Sequence, residues 1–364
     1  MTENVYEKLR KLLDTHPIGC PNSPEIVEIL KILFSEEEAT VALGLGFIPF
    51  TVEQISQRAG MNSQEVWRHL ESLADKGVVF AREKNGVWGY ALLNSIQLFE
   101  NPYRKGVHNE TIKNLTVLWE KYRPTLLPKL GGETTSFLRV IPIEKKIESN
   151  AKILPYEKVY EMIDEAKVLG ISRCACREFS QNCDSPSEGC MLFGSTCTYL
   201  VERGFGRFIS KDEMKQKLQE FDDMGLVRQV NNTSDRLEIL CHCCSCCCGF
   251  LSALKDYDNP RAFTRSAFLP VIDLKKCVGC GICADERCPV KAIEVIDEKA
   301  IVKDERCIGC GLCATGCQQD AILMKRSVDI PPPPTNYMEL GLRLLQEKGK
   351  LKKFMEVNTP KEEA

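Results

Sequence analysis

The chain has 364 residues, 43% of them hydrophobic and 27% charged, with a formal net charge of −3. The length points to two or three domains. The composition excludes a mainly disordered or fibrous chain, and the charge argues against a protein whose overall field gathers nucleic acid or anionic lipid. Twenty cysteines are the anomaly, and all except Cys20 lie between Cys174 and Cys317. Crowding of this kind means disulfides, soft-metal thiolates or iron–sulfur clusters. Disulfides fit badly. The opening residues carry no secretory signal, and no run of about 18 apolar residues suggests a membrane span. The run Cys241–Cys248 also brings its sulfurs too close together for separate, unstrained bridges. The thiols are expected to be reduced, cytoplasmic and metal-bound, with no membrane insertion.

In chain order, Ser23-Pro24-Glu25 opens a helix on Ile26, Ile29, Leu30 and Leu33. Ser35 to Glu38 is a capping box for a second helix, which ends near Gly44 and Gly46. Thr51 caps a third, stopped by Gly60. Asn62 begins a fourth, with Val66, Trp67, Leu70 and Leu73 on one face and Gly77 as its stop. Val78–Arg82 and Val87–Leu92 flank Asn85-Gly86, a hairpin signal. Helix, turn, helix and hairpin over 51–93 resemble a winged helix-turn-helix. Residues 101–150 form a less regular connector, with a helix around Asn109–Tyr122 and an extended stretch Phe137–Ile147. A helix Tyr156–Lys167 delivers Arg173-Cys174-Ala175-Cys176-Arg177, and a loop carries Cys183, Cys190 and Cys197. After a helix capped at Ser210, strands Leu226–Val230 and Arg236–Leu240 lead into the cysteine run. The run is expected to begin as a loop and enter a helix through Leu251 and Leu254. From Phe268 onward the chain repeats itself: Cys277, Cys280, Cys283 and Cys288 recur as Cys307, Cys310, Cys313 and Cys317. Pro331–Pro334 then forms a spacer before a basic helix near Met338–Phe354.

The repeat Cys277-x2-Cys280-x2-Cys283-x4-Cys288-Pro and Cys307-x2-Cys310-x2-Cys313-x3-Cys317 resembles the bacterial two-cluster ferredoxin family over about 268–327. In that family the distant fourth cysteine of each half ligates the other cluster. The resemblance implies one [4Fe–4S] cluster on Cys277, Cys280, Cys283 and Cys317, and a second on Cys307, Cys310, Cys313 and Cys288. One extra residue before Cys288 and Gln318 in place of a proline depart from the pattern without removing a ligand. Structural zinc is the alternative, but zinc sites usually pair two two-cysteine hooks.

The central cysteines fit no zinc-finger spacing. Cys174, Cys176, Cys183 and Cys190, followed by Cys241, Cys243, Cys244, Cys246, Cys247 and Cys248, resemble a family of larger anaerobic iron–sulfur proteins. In that family a dicluster ferredoxin follows Cys-x-Cys-Arg and Cys-x-Cys-Cys-x-Cys-Cys-Cys segments. Both groups are expected to face a shared core holding at least one further iron–sulfur cluster, with Cys174, Cys176, Cys183 and Cys190 as ligands on the first side. Arg173 and Arg177 would offset its charge. A copper or zinc thiolate store is the competing reading. Cys20 and Cys197 read as plain buried thiols and His242 as a bystander.

The expected architecture is α+β and multidomain. A helical, winged-helix domain spans 1–100, a connector 101–150 and a central Cys-rich iron–sulfur domain 151–265. A dicluster ferredoxin-like domain covers 266–328, and a proline spacer with a helical tail covers 329–364. Residues 1–100 hold nine Lys/Arg against fourteen Asp/Glu, the wrong sign for phosphate neutralisation. DNA is therefore disfavoured as a partner, and a protein contact or homodimer is expected at the N-terminal domain. The function expected is relay of low-potential single electrons to a redox protein partner. The alternatives are a cluster-bearing transcriptional regulator and a reductase with a substrate-binding central cluster. No Gly-x-Gly-x-x-Gly, Walker or nucleophile–base motif supports another enzyme class.

Overall fold

The computed structural model describes residues 4–148, 153–326 and 330–359. Near the N-terminus α1 (Val5–Asp14), α2 (Pro24–Leu33) and α3 (Glu36–Leu43) pack together. They are followed by α4 (Val52–Ala59) and α5 (Ser63–Lys76). Ser35 forms the expected capping box and the expected cap Thr51 forms another, each accepting from the backbone N–H three residues on while Glu38 or Gln54 reaches back. Val66, Leu70 and Leu73 of α5 are buried, worth about 2 kcal/mol each. Trp67 is not part of that face. It lies about 100° around the helix from Val66 and is 49% exposed. The hairpin β1 (Val79–Lys84) and β2 (Val87–Leu92) turns at Asn85 and Gly86, both with positive φ, as its two-residue turn requires.

The stretch expected as a less regular connector holds its expected helix and an unexpected one before it. It contains α6 (Ser95–Arg104), capped by Asn94 and Gln97, and α7 (Glu110–Leu126). The division at 100/101 falls inside α6. Pro102 lies in the last turn of α6, where it forfeits a single helical hydrogen bond.

The central region alternates strands and helices. In order these are β3 (Leu138–Val140), α8 (Val159–Glu165), β4 (Leu169–Arg173), α9 (Ala175–Ser180), β5 (Glu188–Phe193) and α10 (Gly194–Glu202). Then come β6 (Arg207–Phe208), α11 (Lys211–Asp223), β7 (Val227–Asn231), β8 (Ile239–Cys243), α12 (Gly249–Tyr257) and β9 (Phe263–Thr264). The strands make one seven-stranded sheet in the order β6-β4-β5-β8-β7-β3-β9, antiparallel except for β3 beside β9. One face is covered by α8 and α11, whose Ile163, Met214, Leu218 and Phe221 pack on Ile171, Met191 and Leu240. The other face looks toward α6, α9 and α10.

Three details differ from the expectation. The helix before Cys174 is short, and β4 intervenes, so Cys174 leaves a strand end rather than a helix. Cys190 and Cys197 lie in β5 and α10 rather than in a loop. The cysteine run begins in β8, which starts three residues later than expected and so carries Cys241 and Cys243.

The C-terminal module contains β10 (Phe268–Ile272), α13 (Ile282–Asp285), β11 (Ile293–Ile296), β12 (Lys299–Val302), α14 (Leu312–Thr315) and β13 (Ile322–Arg326). β10 pairs with β13 and β11 with β12, both antiparallel. The tail is two helices, α15 (Tyr337–Glu347) and α16 (Leu351–Asn358), separated at Gly349 with φ +63°. The divisions at 150/151 and 328/329 lie outside the described residues.

The tail returns to the N-terminal helices. Asn358 Oδ1 accepts from the N–H groups of Phe47 (2.7 Å) and Ile48 (3.1 Å), and Arg58 donates to the Val357 carbonyl. Glu347 accepts from the backbone N–H groups and hydroxyls of Thr134 and Thr135. Asn358→Ala strips two N–H groups of their partner and is expected to cost about 1–3 kcal/mol. The urea midpoint should fall, and an unchanged midpoint would show that the tail is held by other contacts.

Candidate metal centres

The two triple-cysteine loops of the module are built alike. Gly279 and Gly309 have φ of +68° and +69°, and Gly281 and Gly311 both have +82°. Each loop therefore folds its three thiols inward on a backbone that L-residues resist. A Cβ on Gly309 would stand 2.2 Å from Ser266 Oγ and 2.3 Å from the Phe268 carbonyl. The structure gathers the remote cysteines across the repeat. Burial, then the charges of Cys277, Cys280 and Cys317, push Cys283 up to about 11. Cys288 instead sits with Cys307, Cys310 and Cys313. Backbone N–H groups point at the sulfurs: Ala292 to Cys288 at 3.1 Å, Ala321 to Cys317 at 3.4 Å and Ala300 to Cys277 at 3.5 Å. Eight thiols in two crossed fours, with N–H donors aimed at thiolate charge, fit a pair of iron–sulfur cubes. The lengthened segment before Cys288 carries Arg287, which donates to the last carbonyls of α11 (Asp222 and Asp223) and to Leu312 and Thr315. A cation at a helix C-terminus is favourable, and here it pins the module to the central region.

The ten central thiols form two groups rather than one. In the first, every thiol has two thiol neighbours, in the closed order Cys174, Cys176, Cys248, Cys243, Cys241, Cys190 and back to Cys174. Strand register accounts for half of this ring. Cys190 and Cys241 are opposite one another across β5 and β8, so they share a face, and Cys243 follows on that face two residues later. Cys174 and Cys176 arrive at the start of α9, and Cys248 just before α12. The second group is Cys183, Cys244, Cys246 and Cys247, whose sulfurs all lie within 4.8 Å of one another. Cys183 thus parts from Cys174, Cys176 and Cys190, with which the sequence had grouped it. Burial raises Cys183, but the hydroxyl and N–H of Ser185, with Cys246 and Cys244, outweigh it and hold the thiol down to about 6.

Positive charge reaches the ring from an unexpected direction. Arg104 of α6 is buried, held by Glu100 (2.7 Å) and Ser172 Oγ (2.5 Å). Burial disfavours its charge, but Glu100 and Cys190 outweigh this and keep it ionised. Arg177 lies between the two thiol groups near Cys174 and Cys244, and donates to the His242 and Pro186 carbonyls. Arg173 instead pairs with Glu178 at 2.9 Å. His242 points to the opposite face of β8, against Phe221, with Nδ1 3.2 Å from the Gly189 carbonyl. Burial, then Arg228, lower it to about 3. Cys20 and Cys197 are fully buried, and burial pushes them up to about 12 and 11.

All six ring thiols line a cavity of about 820 Å³, whose other walls include Phe47, Phe137, Tyr337 and Phe354. Gln229 of β7 enters this cavity. It lies opposite Cys241, is 0% exposed, and neither atom of its amide has a hydrogen-bond partner. Sequence reading missed Glu100, Arg104 and Gln229. The Glu100–Arg104 spacing of one helical turn was a visible signal, whereas Gln229 becomes visible only once the strand register is known.

The sequence model of the 4Fe-4S dicluster domain matches residues 269–318. No curated protein matches the chain. The C-terminal module is thus an iron–sulfur ferredoxin module in a mixed α+β chain, and no described helix is long and apolar enough to cross a membrane. The crossed pairing of the module is open to a direct test by EPR of the full chain. Cys317→Ser and Cys280→Ser should remove or convert the same cluster signal, and Cys288→Ser and Cys310→Ser the other. Cys317→Ser acting on the Cys307 set would reverse the pairing.

Proposed function

We propose that the protein relays single electrons from a redox partner, through the ferredoxin module, to a further cluster on the six-thiol ring. When bound, the clusters supply one-electron chemistry at low potential, and the chain supplies their insulation and order. The observation that carries the reading is one continuous apolar core. It includes Cys310 with half-buried Cys288 and Cys307 from the module, and Cys243 and Cys248 with half-buried Cys241 from the ring. Apolar packing thus runs from the second loop of the module to the ring. The other end of the module meets solvent: Cys280 is exposed, and Leu274, Val278 and Ile296 leave apolar surface beside it. That edge suits a redox protein partner.

The eight ligands of the module would be those the resemblance implies, and the ring adds Cys174, Cys176, Cys190, Cys241, Cys243 and Cys248. The expected setting is anaerobic metabolism in a reducing cytoplasm. For the winged-helix-like N-terminal region we favour a protein contact or homodimer over DNA. Glu71 and Asp75 of α5 are engaged by Arg203 of α10, which supports a packing role for that helix.

A reductase acting at the ring is the second reading, favoured by Gln229. A buried amide without partners is costly, and the cavity it enters falls in the range of small-molecule sites, about 300–1,000 Å³. Cyanide or carbon monoxide should then shift the EPR signal of the ring cluster, whereas a cluster blind to both is a carrier only.

The relay reading requires iron in the anaerobically prepared full chain clearly above about eight, the content of two cubes. Iron stopping at eight with the ring thiols freely alkylated would end it. Val278→Glu should leave the iron content unchanged and slow reduction by a protein donor at least several-fold. An unchanged rate would move the docking edge elsewhere.

A further inference from the structure

Among the described residues, the second central group is the one set of four thiols whose sulfurs all converge. Cys183 Sγ lies 3.8 Å from both Cys244 Sγ and Cys247 Sγ, Cys246 Sγ lies 3.8 Å from Cys247 Sγ, and the whole set is within 4.8 Å. An ion in a tetrahedron of thiolates, with metal–sulfur bonds of about 2.3 Å, has sulfur–sulfur edges of about 3.8 Å. A cube places four irons between its thiolates and spreads them to roughly 6 Å. The four sulfurs are therefore too close for a cube and at the right separation for one ion.

We propose that Cys183, Cys244, Cys246 and Cys247 bind a single divalent transition-metal ion, zinc ahead of iron, in a closed tetrahedral site separate from the clusters. Four thiolates with no position left open make the donor set of a structural zinc site. The spacing along the chain conceals it, because one ligand comes from the loop after α9 and three from the turn between β8 and α12. The surroundings suit a doubly negative centre. Ser185 donates to Cys183 through its hydroxyl and backbone N–H, Asn182 donates from its backbone to Cys247, and Arg177 reaches Cys244. The Asn182 side-chain amide also donates to the Cys246 carbonyl at 3.4 Å, tying the same two segments together. An ion here staples the loop to the turn and so positions Cys243 and Cys248, which flank the turn and belong to the ring. Binding of such an ion adds directly to the stability of that arrangement.

The test is made on the full-length chain prepared anaerobically. Metal analysis should find one zinc per chain, and zinc-edge X-ray absorption should give four sulfurs at about 2.3 Å. If iron takes the place, the same shell should come with a mononuclear high-spin ferric EPR signal after oxidation. Growth with cobalt should produce the ligand-field bands of a tetrahedral thiolate site. Cys246 is exposed, so Cys246→Ser leaves the core packing alone; it should at least halve the occupancy of this ion while acid-labile sulfide stays constant. The proposal is overturned by a wild-type chain with neither zinc nor mononuclear iron. It is equally overturned if Cys246→Ser loses sulfide in step with about four irons, one whole cube. Either failure leaves the relay reading standing, since that reading uses the other thiols.

Discussion

The pairing register of β8 is the constraint on which the centre of this molecule depends. One row, buried except for half-buried Cys241, crosses the sheet through Ser172, Cys190, Cys241, Gln229 and Val140, each opposite the next. Because side chains alternate along a strand, a slip of one residue would send His242 and Cys244 to the ring face and turn Cys241 and Cys243 away. The register is fixed from the other side of the sheet. There Leu240 belongs to the apolar layer under α8 and α11, and Arg228, opposite His242, is locked to Asp222 by two hydrogen bonds of 2.9 and 2.5 Å. A buried ion pair adds little net stability, but breaking it is costly, which suits a device that specifies register. The end of β8 also divides the cysteines. Residues within the strand go to the ring, while those in the turn after it go to the tight group or, with Cys248, return to the ring.

Charge is the second constraint. Six thiols this close together cannot all ionise unless cations or metal compensate them. Cys190 and Cys248 are held well below the ordinary thiol range by accepting from both ring neighbours, with Arg104 assisting at Cys190. Arg104 can be there only because α6 runs beneath β4 and donates to Ser172 and the Arg173 carbonyl. The helix that sequence reading left in a connector therefore supplies a buried cation to the ring. It also explains why the N-terminal helices, α6 and the central sheet share one apolar core although their cysteine content differs so sharply.

Legibility followed the range of the interactions. Caps, hairpin turn and duplicated cysteine loops depend on residues a few positions apart, and Ser35, Thr51, Asn85-Gly86 and the two Cys-x-Gly-Cys-Gly loops read correctly from sequence. The partition of the central thiols depends on which of them fall inside β8 and on what stands across from them in β5 and β7. Spacing alone kept Cys183 with Cys174, Cys176 and Cys190. Trp67 misled for a related reason: an apolar residue carries a strong average preference for burial, and a helix's surroundings decide whether that preference applies.

The departures from the ferredoxin pattern acquire meaning in this setting. A free-standing module has no need for a longer segment before its fourth cysteine. Here that segment carries Arg287, which ties Leu312 and Thr315 of the second loop to the end of α11, and α11 continues into β7 and the ring. From the other side the Ile143 N–H donates to the Cys310 carbonyl at 3.1 Å, so the strand region of β3 also grips the second loop. Both ties engage the half of the module that holds Cys307, Cys310 and Cys313, and neither touches the exposed loop of Cys280. The second half is tied to the central region, and the loop of Cys280 is left exposed. That asymmetry between the two halves of one repeat supports the relay we propose, and the Arg287 and Ile143 contacts both contribute to it.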